Sequence, residues 1–192
     1  MNKIVLDIET RNTFRDVGAN DPTKLDISVV VAYDYATDRY HHFLQEDLPA
    51  LWKMLEQTDI LIGYNSDYFD IPLLAKYHPG SFAHIKSIDL LQEIHKTLNR
   101  RVRLDDVAHA TLGTHKSGHG LDAIEWWKNG EIEKIKKYCE DDVRITKELY
   151  EYALRNGHLK YKDLLDIKEI PLDTGAWETI APSSAIHCAL PF

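Results

Sequence analysis

The spacing of apolar positions changes character along the chain. In KIVLDIE, ISVVVAYDY and RYHHFL, β-branched and aromatic residues alternate or run together over short stretches, so residues 3–44 are expected to form three strands. DLPALWKMLEQ then predicts a helix with Asp47 at its cap and Pro49 in its first turn, and DILIGYN a short buried strand. Beyond it the period turns helical in FDIPLLAKYH, SIDLLQEIHKTL, LDDVAHATLG and LDAIEWWKNG, with Gly113 and Gly130 where helix ends are expected. EIEKIKKYCEDDVRITKELYEYALRNG predicts one long helix closed by Gly157. After it only LDIKEIPL reads as a strand, and TGAWETIAPSSAIHCALPF reads as irregular. Strands first and helices later, with one strand returning between helices, predict an α/β fold: a mixed β-sheet flanked by α-helices. The expected division is one domain over 1–157 and a C-terminal extension over 158–192, holding one short strand and then a flexible tail.

Acids interrupt these patterns at three places. In the first strand the period of two sends Ile4, Leu6 and Ile8 to one face and Val5, Asp7 and Glu9 to the other. Side chains two apart on one face lie roughly 7 Å apart, so both acids can reach shared cations. Taken alone, a D-x-E pair is a solvated strand end. Asp70 heads an apolar helical stripe with Leu73, Leu74 and Tyr77, and taken alone it is a helix-start residue that complements the dipole beside Pro72. Asp142 lies in mid-helix on the stripe of Ile135, Tyr138, Ile145, Leu149 and Tyr152. A carboxylate on a packed face needs a cation, hydrogen bonds or a proton. Asp141 is its rival, placed toward the edge of that stripe.

Composition narrows the class. The 192 residues, 44% hydrophobic and 28% charged, suffice for one well-buried core. No apolar run approaches the roughly 20 residues of a membrane helix, and MNKIVLDIET is too polar for a signal peptide, so a cytoplasmic protein with no membrane partner is expected. Cys139 and Cys188 form no C-x-x-C pair and are expected as free thiols. A net charge of −8 argues against coating nucleic acid by bulk electrostatics. It leaves room for a protein that meets phosphate through cations held by its own carboxylates.

Asp7-Ile8-Glu9 in the first strand, Asn65 to Phe69-Asp70 opening a helix, and Tyr138 four residues before Asp142 in a late helix resemble, in order and spacing, the three exonuclease motifs of the DEDD superfamily of 3′–5′ exonucleases. The resemblance covers about residues 1–155. GYNSDYFDIPLL and LDDVAHATLGTHKSGHG are also similar to the proofreading exonuclease domain of family B DNA polymerases. It implies a ribonuclease H-like fold in which Asp7, Glu9, Asp70 and Asp142 hold two divalent metal ions, Mg²⁺ or Mn²⁺. Lys137 stands five before Asp142 and Tyr138 four before it, which points to the tyrosine branch, with Tyr138 orienting the attacking water. Glu9 is implied at the first metal with Asp7 and Asp142, and Asp70 at the second with Asp7.

The implied activity is hydrolysis of single-stranded DNA from its 3′ end to nucleoside monophosphates. The alternatives are an exoribonuclease, or an inactive nucleic-acid-binding or scaffold module of the same fold. Thr10, Asn65 and Phe69 are implied near the terminal nucleotide, Phe69 for stacking or for the core. Lys116 is placed against the backbone or in solvent. The basic runs NRRVR and KIKK either lead a strand to the site or are charged helix faces. His41 and His42 have no third ligand at recognisable spacing and are assigned no metal. Trp126 and Trp127 read as core or lid. In the last six residues, HCALPF, His187, Leu190 and Phe192 resemble the Q-x-x-L-x-F peptide by which bacterial replication proteins dock onto the sliding clamp, with His in place of Gln.

Overall fold

The computed structural model describes residues 1–114, 120–164 and 166–180. Five strands make one mixed sheet in the order β3-β2-β1-β4-β5: β1 (Lys3–Thr10), β2 (Ile27–Asp34), β3 (Arg39–Leu44), β4 (Ile60–Gly63) and β5 (Lys86–Asp89). β1 is antiparallel to β2 and parallel to β4, so it lies at the centre of the sheet with neighbours on both sides. A central strand must be apolar on both faces for most of its length. Accordingly Ile4, Leu6 and Ile8 pack against α2 (Leu48–Leu55) and α3 (Asp70–Tyr77), while Val5 packs on the opposite side with residues of α7 (Ile132–Asn156). The face that carries Val5 also carries Asp7 and Glu9, as the period of two requires.

The long helix α7 crosses that face. Its buried residues include Ile135, Tyr138, Asp142, Ile145 and Leu149, as expected, and also Cys139, Val143, Thr146, Tyr150 and Ala153, so the buried stripe is wider than one heptad seam. Tyr152 falls at its margin, only partly buried. α4 (Leu90–Leu98), α5 (Leu104–Leu112) and α6 (Gly120–Lys128) complete this layer, and a single turn, α1 (Phe14–Val17), follows β1. Among the described residues no helix is long and apolar enough to cross a membrane.

Two elements depart from the expected pattern. Ser87-Ile88-Asp89, expected as the start of a helix, is the end of β5, and the helix begins at Leu90. The reason is Asp89, whose carboxylate accepts the N–H of Leu91 at 2.9 Å and of Gln92 at 3.4 Å and so caps α4 from an extended backbone. In the C-terminal extension, one expected strand is two: β6 (His158–Asp163) pairs antiparallel with β7 (Asp166–Pro171). Leu159, Tyr161, Ile170, Leu172 and Trp177 belong to the same core as α7 and the sheet, so the core runs through Gly157 without a break. Trp177 stacks on Tyr150 with ring centres 5.6 Å apart, and the Tyr150 hydroxyl donates to Glu178 at 3.0 Å. Glu178 also pairs with Lys3 of β1.

Candidate active site

The site forms where β1 ends beneath α7. The strand places Asp7 and Glu9 on the α7 side, and the helix turns Asp142 toward them. Ligand atoms of Asp7, Glu9 and Asp142 lie within 4.8 Å of one another. β1 pairs regularly with β2 as far as Glu9 and shifts register between Glu9 and Thr10. Such a bulge re-aims the side chains around it. Here it leaves Thr10 buried, its hydroxyl donating to the Asn12 carbonyl at 2.9 Å.

Asp70 reaches the same place from α3. The chain gets there through a tight turn after β4 in which Gly63 is required: a Cβ there would lie 2.5 Å from the Cβ of buried Ser66. Asn65 then adopts a left-handed backbone, φ 70°. Asp89 holds this turn, accepting the N–H of Asn65 at 2.7 Å and of Asp67 at 3.1 Å. Asp70 is 3% exposed, and its Oδ1 is buried with no hydrogen-bond partner among the described residues. Burial, and after it the charge of nearby Asp7, push the Asp70 carboxyl well above the usual carboxylate range. Burial also raises Asp89, against the opposing pull of the Asn65 and Asp67 amides.

A cavity of about 450 Å³ joins these groups. Its wall includes Asp7, Glu9, Thr10, Asn65, Phe69, Asp70, Tyr138 and Asp142. Tyr138 is 3% exposed and meets Trp126 edge-on, with ring centres 5.9 Å apart. Phe69 lines the cavity and also meets Phe14 edge-on at 6.0 Å, so the same ring forms part of the cavity wall and packs against the core. Asp141 faces outward, paired with Lys137 at 3.2 Å and Arg144 at 3.7 Å, which leaves Asp142 as the helix acid in the cluster. Of the other lysines of KIKK, Lys134 and Lys136 pair with Glu131 and Glu133 one turn away and form a charged helix face. His42 pairs with Glu140 at 2.8 Å. Trp127 lies under the Arg11 guanidinium, 4.3 Å from ring centre to Cζ. Lys116 and the tail residues His187, Leu190 and Phe192 lie outside the described residues, as does Cys188.

Two groups at the site were not singled out from the sequence. Cys139, fully buried, donates its S–H within reach of the Asp7 carbonyl at 3.3 Å and of Asp7 Oδ2 at 3.4 Å, and burial among these acids raises the thiol well above its ordinary value. Asp89 is the other, and its signal was present: an Asp directly before LLQEI is an N-cap pattern.

The donor set suits hard divalent cations. All four carboxylates offer oxygen, three of them converge, and the buried Asp70 Oδ1 has no hydrogen-bond partner among the described residues. The model of the RNase_H superfamily matches residues 4–154. The chain belongs to that superfamily.

Within the RNase_H superfamily, the chain is 29% identical to DNA polymerase 2 of Aeropyrum pernix in an alignment covering 60% of this chain and 17% of that protein. It therefore spans about a sixth of that relative's length. Among solved structures it resembles the family B DNA polymerase of the archaeon Pyrobaculum calidifontis, with TM-score 0.63 and 20% identity over 80% of this chain and 24% of that one. It also resembles the zinc-bound E. coli ExoI–ssDNA complex, with TM-score 0.57 and 12% identity over 81% of this chain and 41% of that one. At these identities the two structures establish the fold, and they agree with the mixed sheet and flanking helices seen here.

Proposed function

We propose that this chain is a metal-dependent 3′–5′ exonuclease that hydrolyses single-stranded DNA from its 3′ end and releases nucleoside monophosphates. The observation that carries the reading is the convergence of Asp7, Glu9 and Asp142 within 4.8 Å, on the wall of one cavity shared with Asp70 and Tyr138. The relatives named above, two DNA polymerases and a nuclease in complex with single-stranded DNA, support the choice of substrate.

Hydrolysis joins a water oxygen to the phosphorus of the terminal linkage and breaks the bond from that phosphorus to the 3′ oxygen of the preceding nucleotide. The water gives up a proton and the departing oxygen takes one. Asp7, Glu9, Asp70 and Asp142 would hold two divalent ions, Mg²⁺ or Mn²⁺, which supply Lewis-acid activation of water and stabilisation of negative charge. The Tyr138 hydroxyl orients the attacking water by hydrogen bond, and the packing of its ring on Trp126 fixes the direction of that bond. Thr10 and Asn65 present polar groups to the terminal nucleotide, and Phe69 presents a ring face for stacking, which tolerates any base.

The test is cleavage of 5′-labelled single-stranded DNA and RNA of matched sequence in Mg²⁺, Mn²⁺ or EDTA, with Asp7→Ala and Asp142→Asn beside the wild type. A ladder that shortens from the 3′ end with metal, and vanishes in both variants, is expected in the DNA lane. A ladder confined to RNA would make the protein an exoribonuclease, and no ladder with wild type would leave a binding module. The tail peptide with His187, Leu190 and Phe192 is proposed as a sliding-clamp anchor, and retention of the clamp by protein lacking the tail would remove that role.

A further inference from the structure

The run NRRVR holds three arginines, and the structure separates their roles. Arg103 forms two bonds with Asp106, at 2.8 and 3.0 Å. Arg100 lies 4.8 Å from the centre of the Tyr161 ring and 4.0 Å from Asp163. Both charges are matched by a carboxylate on the side of the molecule formed by α5 or the β6–β7 hairpin. Arg101 differs. Among the described residues no carboxylate lies in salt-bridge range of it, and its Nη2 donates to Oδ1 of Asn65, a neutral amide on the wall of the acid-lined cavity. Its guanidinium carbon stands 5.9 Å from the centre of the Tyr68 ring, at the limit of a cation–π contact. Both residues are exposed, Tyr68 at 39%.

Three consequences follow. The amide binds one of the five N–H donors of the guanidinium and cancels none of its charge, so the group keeps donors and a full positive charge for a ligand. The ligand must be anionic and must pass the Asn65 corner, because Asp89 holds the backbone of Asn65 and Asp67 and thereby fixes where Arg101 is tethered. An exposed ring beside that cation suits a base attached to the anion.

We propose that Arg101 and Tyr68 form a strand-entry site for single-stranded nucleic acid, Arg101 gripping a backbone phosphate upstream of the terminal nucleotide and Tyr68 stacking the adjacent base. The proposal rests on the exonuclease reading, and it assigns a positioning role outside the chemistry. An arginine is needed at this rim because the acid cluster alone would repel an incoming strand whose phosphates lie beyond the reach of the bound cations.

The test is anisotropy of a short 5′-fluorescein oligothymidylate with the full chain in Ca²⁺, the probe being checked for length afterwards. Arg101→Ala should weaken binding roughly tenfold, the loss of one charge-assisted contact, and make the log–log salt slope shallower by about 0.7. Arg101→Lys should keep the slope and recover part of the affinity, and Arg100→Ala should bind as wild type. A second readout uses the p-nitrophenyl ester of thymidine 5′-monophosphate, which has a scissile phosphodiester and no upstream phosphate. Its kcat/KM should fall far less in Arg101→Ala than that of the oligonucleotide, whose KM rises while kcat holds. Equal loss on both substrates, equal weakening by Arg100→Ala, or unaltered oligonucleotide binding by Arg101→Ala would overturn the entry site and leave the exonuclease reading standing. Wild type that neither binds nor cleaves the oligonucleotide would overturn both.

Discussion

Asp142→Asn should make the metal-free protein more stable and the metal-loaded one comparatively less so. Asp142 faces two like charges, Asp7 and Glu9, with ligand atoms within 4.8 Å. Each such pair repels by about 0.9 kcal/mol in bulk water and by about 3.5 kcal/mol at an effective dielectric constant of about 20. Asp7 and Glu9 are only half-buried, so solvent screening draws the sum for two pairs toward the lower end, and a net gain of about 1–2 kcal/mol is expected in the asparagine variant. For a chain of this size that is a rise in Tm of about 2–8 °C in EDTA. Mg²⁺ at about a hundred times its Kd should stabilise wild type by about 2.7 kcal/mol and the variant by much less, reversing the order. Differential scanning fluorimetry of both proteins in EDTA and along a Mg²⁺ series reads all four states. A variant less stable than wild type in EDTA, with Mg²⁺ moving neither, would show that Asp142 is held as a hydrogen-bond acceptor of the core, and the cation-site reasoning would fail.

Three further outcomes are expected. Tyr138→Phe keeps the ring against Trp126, so Tm should change little while kcat on a single-stranded oligonucleotide falls on the order of a hundredfold or more; an unchanged kcat would remove the hydroxyl from the mechanism. Because the folded-state value of Asp70 is raised, the native metal-free protein binds a proton there that the unfolded chain has already released, so stability must fall as pH climbs from the ordinary aspartate range into the raised one. Urea midpoints in EDTA from acidic to neutral pH should show that decline in wild type and a flatter profile in Asp70→Asn, and parallel profiles would contradict the assignment. Asp89→Ala strips the acceptor from the buried amide of Leu91 and the part-buried amides of Asn65 and Asp67, and at about 1–3 kcal/mol for a buried orphan and less for the two that water can reach, the loss should be about 2–3 kcal/mol by urea denaturation, with nuclease activity falling too; a loss under about 1 kcal/mol would mean the turn is held by something else.

Much of the cluster was legible because its carriers are regular. A period of two puts Asp7 and Glu9 on one side of β1 wherever that strand lies, and a helical period puts Asp142 on the face of Tyr138. What the patterns could not supply is partner geometry. β5 is four residues of KSID whose polar ends resemble a helix start, and only its pairing with β4 makes it a strand. β6, HLKYKD, has Leu159 and Tyr161 at strand spacing, but it directly follows a 25-residue helix and its partner strand lies beyond a turn. The choice among Arg100, Arg101 and Arg103 depends on which carboxylates lie opposite, and adjacency in sequence says nothing of that.

The strap after Gly157 bears on how this nuclease fold can be cut. Glu178 reaches Lys3 at the start of the first strand and Tyr150 near the end of the last long helix, and Trp177 lies flat on Tyr150. Those two elements are the ones that carry Asp7, Glu9, Tyr138 and Asp142. The extension therefore works as a buckle fastened at the far end of both arms of the site, where a shift of the helix along the strand would open the spacing between their acids. Shortening the chain at the helix end would leave every proposed catalytic side chain in place and release the fastening that keeps them aligned.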